Sequence, residues 1–295
     1  SKELRILGLS GVYNQVLIDG FPMIQGLSYT YGISSMPGSL VDNIYISKGA
    51  NSVIQGFESI SGQINVETKE PDNADRRLLN AYMNSFLEKH INANYGFKQS
   101  KWSNLTAFHT VQPADKVDRD NDKFLDLPLL TRYMIFNNWK YGNDKDWGWN
   151  SRISLRFLSE QRIGGQTIFN AGSDKGSTNV YGQTVNINQP EIWTKTGYRF
   201  NDQHNLVLFA SAFNQQQSSF FGTVKYNATQ TNFYGNIQYE LSYKKHDLKT
   251  GISYRYLNLN ENIVFTDTSL QRTYAGNYKR LDNIPGLFAE NTMRI

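Results

Sequence analysis

Four histidines, 26 carboxylates and 30 basic side chains are the groups in this 295-residue chain that could move protons, hold metals or grip charged ligands. Their spacing supports little reaction chemistry. His90, His109, His204 and His246 stand singly, no Ser-His-Asp order or paired-carboxylate site assembles, and no cysteine completes a zinc set. His204 and His246 fall in short turns, where a histidine serves as a solvated polar cap, whereas His109 sits within a strand and could face a lumen. Asp115, Asp118, Asp120, Asp122 and Asp126 crowd one polar segment, a pattern able to hold Ca²⁺. Lys116, Arg119 and Lys123 interleave with them and the glycine and terminal glutamate of an EF-hand are missing, so a solvated loop is the simpler reading. Gly164-Gly165 and the pair Gly172 and Gly176 do not lead from a buried strand into a helix, which removes a nucleotide site. The expectation is a protein that is not an enzyme and carries no cofactor or metal.

Chemistry short of catalysis depends on the elements that hold the side chains. With 18 Tyr and 17 Phe against 5 Met, no Cys and only 39% hydrophobic residues, the composition favours all-β structure, where rings cover pleated surfaces. A net charge of +4, with no run of five or more like charges, gives no basic patch to track phosphates, so no nucleic-acid partner is expected. No apolar segment approaches the ~18 residues of a membrane helix, which leaves a spanning barrel open because barrel strands alternate. The first residues lack a charged, then apolar, then small-residue leader, and the chain reads as a mature product or a piece.

Beyond Asp75 the pattern becomes a series of long amphipathic strands. In residues 231–243, Phe233, Gly235, Ile237, Tyr239 and Leu241 share one face, while Asn232, Tyr234, Asn236, Gln238 and Glu240 share the other. Residues 149–158 and 248–258 repeat the plan, and 191–200 does so more weakly, turning Arg152, Arg156, Arg199 and Arg255 toward the polar face. Fainter versions at 78–86, 90–97, 102–111, 132–141, 205–213 and 286–295 bring the total to about ten strands. Short connections are predicted at 99–101, 143–147, 201–204 and 244–247, and long polar loops at 112–129, 162–188, 214–229 and 260–283. Phe220, Phe221 and Tyr226 fall in the third of these loops. Short turns on one side and long loops on the other are the layout of an outer-membrane barrel. Trp102, Trp139, Tyr141, Trp147, Trp149 and Tyr243, near strand ends, suit its aromatic girdles. A soluble sandwich or propeller is the plain alternative, although such strands are long against a mode of ~5–6 residues.

The chain is organised around residues 41–71, VDNIYISKGANSVIQGFESISGQINVETKEP, which read as strand, glycine-punctuated turn, strand, closing on the turn-rich Glu70-Pro71-Asp72-Asn73. Together with Ile18-Asp19-Gly20-Phe21-Pro22 upstream, the elements Lys48-Gly49-Ala50-Asn51-Ser52, Gln55-Gly56 and Gly62-Gln63-Ile64-Asn65-Val66-Glu67-Thr68-Lys69 match, in order and spacing, the C-terminal half of the plug domain of TonB-dependent outer-membrane receptors. The chain resembles that family by motif from Gly11 to Lys69 and by pattern beyond it. Asp19, Gly20, Gly49, Gly56, Gly62 and Asn65 mark the motif, and the glycines read as backbone devices rather than ligand contacts. The family usually places Arg and Glu where this chain has Asn43 and Tyr45, so the resemblance does not supply the ion pairs that hold this plug.

The resemblance implies an all-β fold: a transmembrane antiparallel β-barrel, about ten strands of a larger one that closes about 22, preceded by a small α+β plug portion. Residues 1–71 would be plug and 72–295 barrel, an internal fragment without the segment that engages TonB. It implies a place in the outer membrane of a Gram-negative bacterium, with outer-membrane lipid, the TonB energy-coupling protein and a small-molecule or chelate substrate as partners. The implied function is active import of a scarce solute, such as a ferric siderophore, another metal chelate or a cobalamin-like cofactor. Tyr29, Tyr31 and Met36, in the loop where such plugs present apical contacts, would meet that solute, or else pack the plug against the wall. Arg152, Arg156, Arg199 and Arg255 would guide an anionic complex, or else pair with Glu191, Glu240 and plug carboxylates. Phe220, Phe221 and Tyr226 form a further group of external contacts. A passive porin-like channel and a soluble β-rich carbohydrate-binding module remain the competing functions.

Overall fold

A computed structural model describes residues 6–9, 13–49, 52–55, 60–143, 146–266 and 274–294. They form two sheets. The smaller contains β1 (Asn14–Ile18), β2 (Phe21–Ile24), β3 (Val41–Lys48) and β4 (Gly62–Thr68) in the order β2-β1-β4-β3, with β1 and β4 parallel and the other pairs antiparallel. Every residue of β1 is buried, which explains its unbroken apolar run Val16-Leu17-Ile18. Asp19 and Gly20 turn β1 into β2 with φ of 52° and 82°, the left-handed pair that a two-residue hairpin of this twist demands. Short 3-10 turns at Gly26–Thr30, Ile33–Ser35 and Gly38–Leu40 carry the chain to β3. The helical content of the plug portion is of this single-turn kind, with no α-helix among the described residues.

The larger sheet contains ten antiparallel strands in sequence order: β5 (Arg77–Met83), β6 (Lys89–Gln99), β7 (Trp102–Gln112), β8 (Leu129–Tyr141), β9 (Gly148–Gly165), β10 (Gly182–Arg199), β11 (His204–Phe221), β12 (Val224–Tyr243), β13 (His246–Phe265) and β14 (Gly276–Met293). Its burial runs opposite to that of a water-soluble sheet. Ile135, Leu155, Phe157, Leu208, Ile237 and Ile252 are exposed on one face, while Asn138, Ser154, Arg156, Glu191, Gln230 and Asn236 are buried on the other. Alternation of this sign places hydrocarbon outside and a polar, filled lumen inside, and it argues against a soluble sandwich. The smaller sheet fills that lumen. Val16, Ile18, Phe21, Met23, Ile24 and Leu40 of the plug join Leu105, Met134, Phe136, Leu158, Trp193 and Phe213 of the wall in one apolar cluster. Rings of Trp102, Trp139 and Tyr141, and of Trp149, Tyr198 and Phe200, contact one another at the short-turn end, where a girdle belongs.

The ten strands the pattern predicts are present among the described residues, but those from β9 onward run further than the sequence pattern indicates. The sequence pattern predicts a loop at 214–229; these residues are instead the ends of β11 and β12, joined at Gly222-Thr223. Phe220, Phe221 and Tyr226 therefore lie on strands, not in a loop. Much of 162–188 and 260–283 is likewise strand. Above the apolar belt both faces of a strand meet polar surroundings, so period-2 hydrophobicity vanishes while the hydrogen-bond ladder continues. The remaining long connections pack together: Leu125 donates to Gly165 O and Thr167 to Lys123 O, both at 2.9 Å, and Lys116 Nζ reaches Thr167 O and Phe169 O.

Candidate functional site

On the β8–β10 side the plug is riveted to the wall. The Asp19 carboxylate accepts Thr68 N (2.7 Å), Thr68 Oγ1 (2.8 Å), Trp193 Nε1 (3.0 Å) and Arg152 Nη2 (3.3 Å), so the hairpin aspartate that shapes the β1–β2 turn also ties strands β4, β9 and β10 together. Four residues along β9, Arg156 pairs with Glu191 at 2.5 and 2.7 Å, a pair essentially without solvent, and touches Ser35 Oγ and Met36 Sδ of the plug. Higher still, Arg132 pairs with Glu160 and donates to Ser34 O at 2.7 Å, while Arg162 pairs with the same Glu160 and lies 4.2 Å over the Tyr31 ring. Burial raises the Tyr31 phenol above its usual pKa against the opposing charge of Arg162, so it stays a neutral ring. Burial, then the charge of neighbouring Asp19, likewise raises the Glu67 carboxyl.

At the crossing from plug to wall, Lys140 of β8 meets Glu70 at 2.6 Å and Asp72 at 3.1 Å. Partial burial of Asp72 opposes its ionisation, but the hydrogen bond and charge of Lys140 outweigh this and hold the carboxyl below the usual carboxylate range. A carboxyl depressed by folding stabilises above its unfolded pKa and loses that contribution as pH falls through the folded one. Protease access to residues 60–75 is therefore expected to rise below about pH 4. Asp72→Asn should show the raised access already at neutral pH, with a flatter acid response.

The β11–β14 side is built differently. Gln230 bridges the plug apex, accepting Leu27 N at 2.9 Å and donating to Gln25 O at 3.0 Å, and Asn232 donates to Gln25 Oε1 at 2.8 Å. Gly26, at φ 55°, brings its backbone against the Gln230 amide with no room for a Cβ. Gly26→Ala is expected to part this contact and raise protease cleavage near residue 26. Beside it opens a cavity of about 490 Å³ lined by Tyr13, Gln25, Tyr29, Tyr234, Arg255 and Arg280. Arg255 lies 5.4 Å over the Tyr234 ring and Arg280 pairs with Asp282. A second cavity, about 740 Å³, lies toward the short-turn end beside Ser52, Gln63, Lys195, Arg199, Glu240 and Lys249.

The structure thus divides the residues singled out from sequence. Tyr29 and Arg255 line one cavity. Tyr31 serves as the platform for Arg162, and Met36 packs on the apolar cluster beneath Arg156. Arg152 and Arg156 face inward onto a plug carboxylate and Glu191. Arg199 pairs with Asp202 near the lower cavity, and Glu240 meets Lys249 rather than an arginine. The hydroxyl of Tyr226 donates to Glu261 at 2.6 Å. Of the motif residues, Asn65 Oδ1 accepts Gly20 N at 2.8 Å, Gly49 has φ 84°, and Gly62 packs where a Cβ would strike Ser47 O. Gly56 lies outside the described residues. Asn43 bonds its neighbour Asp42 and Tyr45 is exposed, and no ion pair links either to the wall among the described residues. Carboxylates of Asp118, Asp120 and Asp126 lie within 4.8 Å of one another but accept backbone amides of their own loop. His109 binds Asn92, which also accepts plug Ser39 Oγ. Sequence reasoning missed Arg132, Glu160, Arg162 and Lys140; charges alternating with apolar residues on long strands were the available signal.

Residues 1–63 match the family model described as the TonB-dependent Receptor Plug Domain. No curated protein sequence matches the chain. Among solved structures it is similar to the ferric-catecholate import receptor Fiu of E. coli K12, with 13% identity and a TM-score of 0.69 over 99% of this chain and 52% of that one. It is also similar to the siderophore receptor PiuA of Acinetobacter baumannii (14%, TM-score 0.61, 95% and 46%) and to the ferric yersiniabactin uptake receptor FyuA of Yersinia pestis (12%, TM-score 0.64, 95% and 52%). At these identities the likeness is one of fold, and the chain spans about half the length of these receptors.

Proposed function

We propose that this chain, a segment of a TonB-dependent receptor, belongs to an importer that carries an anionic metal chelate across the outer membrane of a Gram-negative bacterium, powered through TonB. In this reading residues 1–71 are plug and 72–295 wall. The observation that carries it is a folded mixed sheet, pinned through Asp19 to Arg152 and Trp193 inside a wall that is apolar outside and polar inside. A passive porin has no use for a lumen filled in this way, and a soluble carbohydrate-binding module would not expose Ile135, Leu155, Ile237 and Ile252 to water.

The apex cavity supports that solute class. Tyr13, Tyr29 and Tyr234 offer flat faces and hydroxyls, and Arg255 supplies positive charge while Arg280 is paired with Asp282 of the same lining, a combination suited to a bulky, negatively charged chelate such as a ferric siderophore. Arg255→Ala in the full receptor is expected to weaken chelate binding about tenfold or more, with the plug still seated. The broader test deletes the receptor gene and asks which limiting nutrient no longer supports growth. Loss of growth on one metal chelate supports import. A general fall in small-solute permeability, with no single nutrient affected, would instead favour a porin.

A further inference from the structure

Above the apolar belt, the outer face of the wall carries a row of uncharged polar side chains aligned across seven strands. Register places Thr131, Gln161, Asn186, Ser218, Asn227, Asn262 and Asn277 side by side from β8 to β14. They are knitted together: Gln161 Nε2 donates to Asn186 Oδ1 (2.9 Å), Ser218 Oγ to Asn227 Oδ1 (2.9 Å) and Asn262 Nδ2 to Asn277 Oδ1 (2.8 Å), while Asn186 Nδ2 reaches Ser218 O. One row lower run Asn188, Gln216, Thr229, Asn260 and Lys279. From β10 to β14 the two rows line a groove of about 640 Å³. The same face is apolar below, at Leu208, Ile237, Ile252 and Leu287, so the groove continues directly upward from the lipid-facing belt.

Height selects the occupant. On β11 to β13 the last row of the belt is Ala212, Phe233 and Tyr256, with Leu281 of β14 one row higher, and successive outward rows are two residues apart. At about 3.3 Å per residue and a tilt of about 40°, the two polar rows stand roughly 10 and 15 Å above the hydrocarbon. A phospholipid headgroup layer is only about 5–7 Å deep. A headgroup that fills the groove must therefore be larger. Held amides and hydroxyls, with Lys279 the one cation among these outward side chains, match ring hydroxyls better than a bare phosphate.

We propose that this groove binds the saccharide headgroup of an outer-leaflet glycolipid whose acyl chains pack on the belt below. The proposal rests on the belt and the ladder, not on the import reading, and it is tested separately from transport. The full receptor is reconstituted into nanodiscs of phosphatidylethanolamine with or without lipopolysaccharide, and the glycolipid retained after a detergent wash is measured by native mass spectrometry. The parent should retain lipopolysaccharide, and Asn227→Ala with Asn262→Ala should lower retention about tenfold. Should that pair fail to fold, Gln216→Ala with Asn260→Ala, in the lower row, provides the second variant, and heat-modified gel migration reports folding in both. Chelate uptake should be unchanged. Retention equal to parent in a folded variant, equal retention of phosphatidylethanolamine alone, or occupation of the groove by a second protein would each overturn the proposal.

Discussion

Asp19→Ala is expected to unseat the plug, at a cost of about 3–5 kcal/mol to its docking, because the substitution strands several buried partners at once. The Arg152 guanidinium, the Trp193 indole N–H and the Thr68 backbone N–H all converge on that one carboxylate, which is itself buried. The left-handed backbone at residue 19, φ 52°, adds to the effect, since alanine tolerates it less well than aspartate. The readouts are protease cleavage within residues 13–68 and susceptibility of receptor-expressing cells to an antibiotic too large for ordinary porins, both expected to rise. Asp19→Asn keeps the turn and an acceptor but removes the charge, so it should fall between parent and alanine. If Asp19→Ala leaves both readouts at parental values, the rivet assigned to this residue is not what holds the plug.

Glu191→Ala should have a comparable effect through a different element. The side chains of Arg156 and Glu191 are 1% and 0% exposed, and Gln189 Nε2 donates to the same carboxylate at 2.5 Å. Removing the acid leaves a guanidinium in a site closed to water, worth about 3–5 kcal/mol. A buried ion pair is weak evidence of net stabilisation, and this fixes the sign of a second experiment. Arg156→Met with Glu191→Leu, apolar and of similar volume, should regain most of the lost thermal stability. Loss of heat-modified gel migration with temperature measures both. A double variant as unstable as Glu191→Ala would mean that Arg156 is required for its contacts to Ser35 and Met36 rather than for its partner.

Much of this architecture is legible in the sequence because a spanning strand must alternate. Phe233, Ile237, Ile252 and Leu208 announce the outer face, and the intervening Asn, Gln and Arg announce the lumen. Legibility stops where the physical constraint stops. In Gln215-Gln216-Gln217-Ser218-Ser219 no hydrophobic period survives, yet β11 continues through the segment because its neighbours still pair with it. The motif around Asp19 and Gly62 identifies the plug by its turns and close approaches, which are local. The rivets are not local: Arg152 and Asp19 are 133 residues apart and Gln230 and Gln25 are 205 apart, so no spacing rule links them. Tyr29, Tyr31 and Met36 illustrate the same limit. They sit close together in sequence but turn to a cavity, to a wall arginine and to the apolar core respectively.

If the plug-filled wall belongs to an energised importer, this is read most simply from uptake of a radiolabelled anionic ferric chelate by cells in which this receptor is the sole route. With a protonophore added, or with TonB deleted, surface binding of the chelate should persist while accumulation falls to background. Accumulation at the same rate with the energy supply removed would rule out energised import and identify the lumen as a passive path.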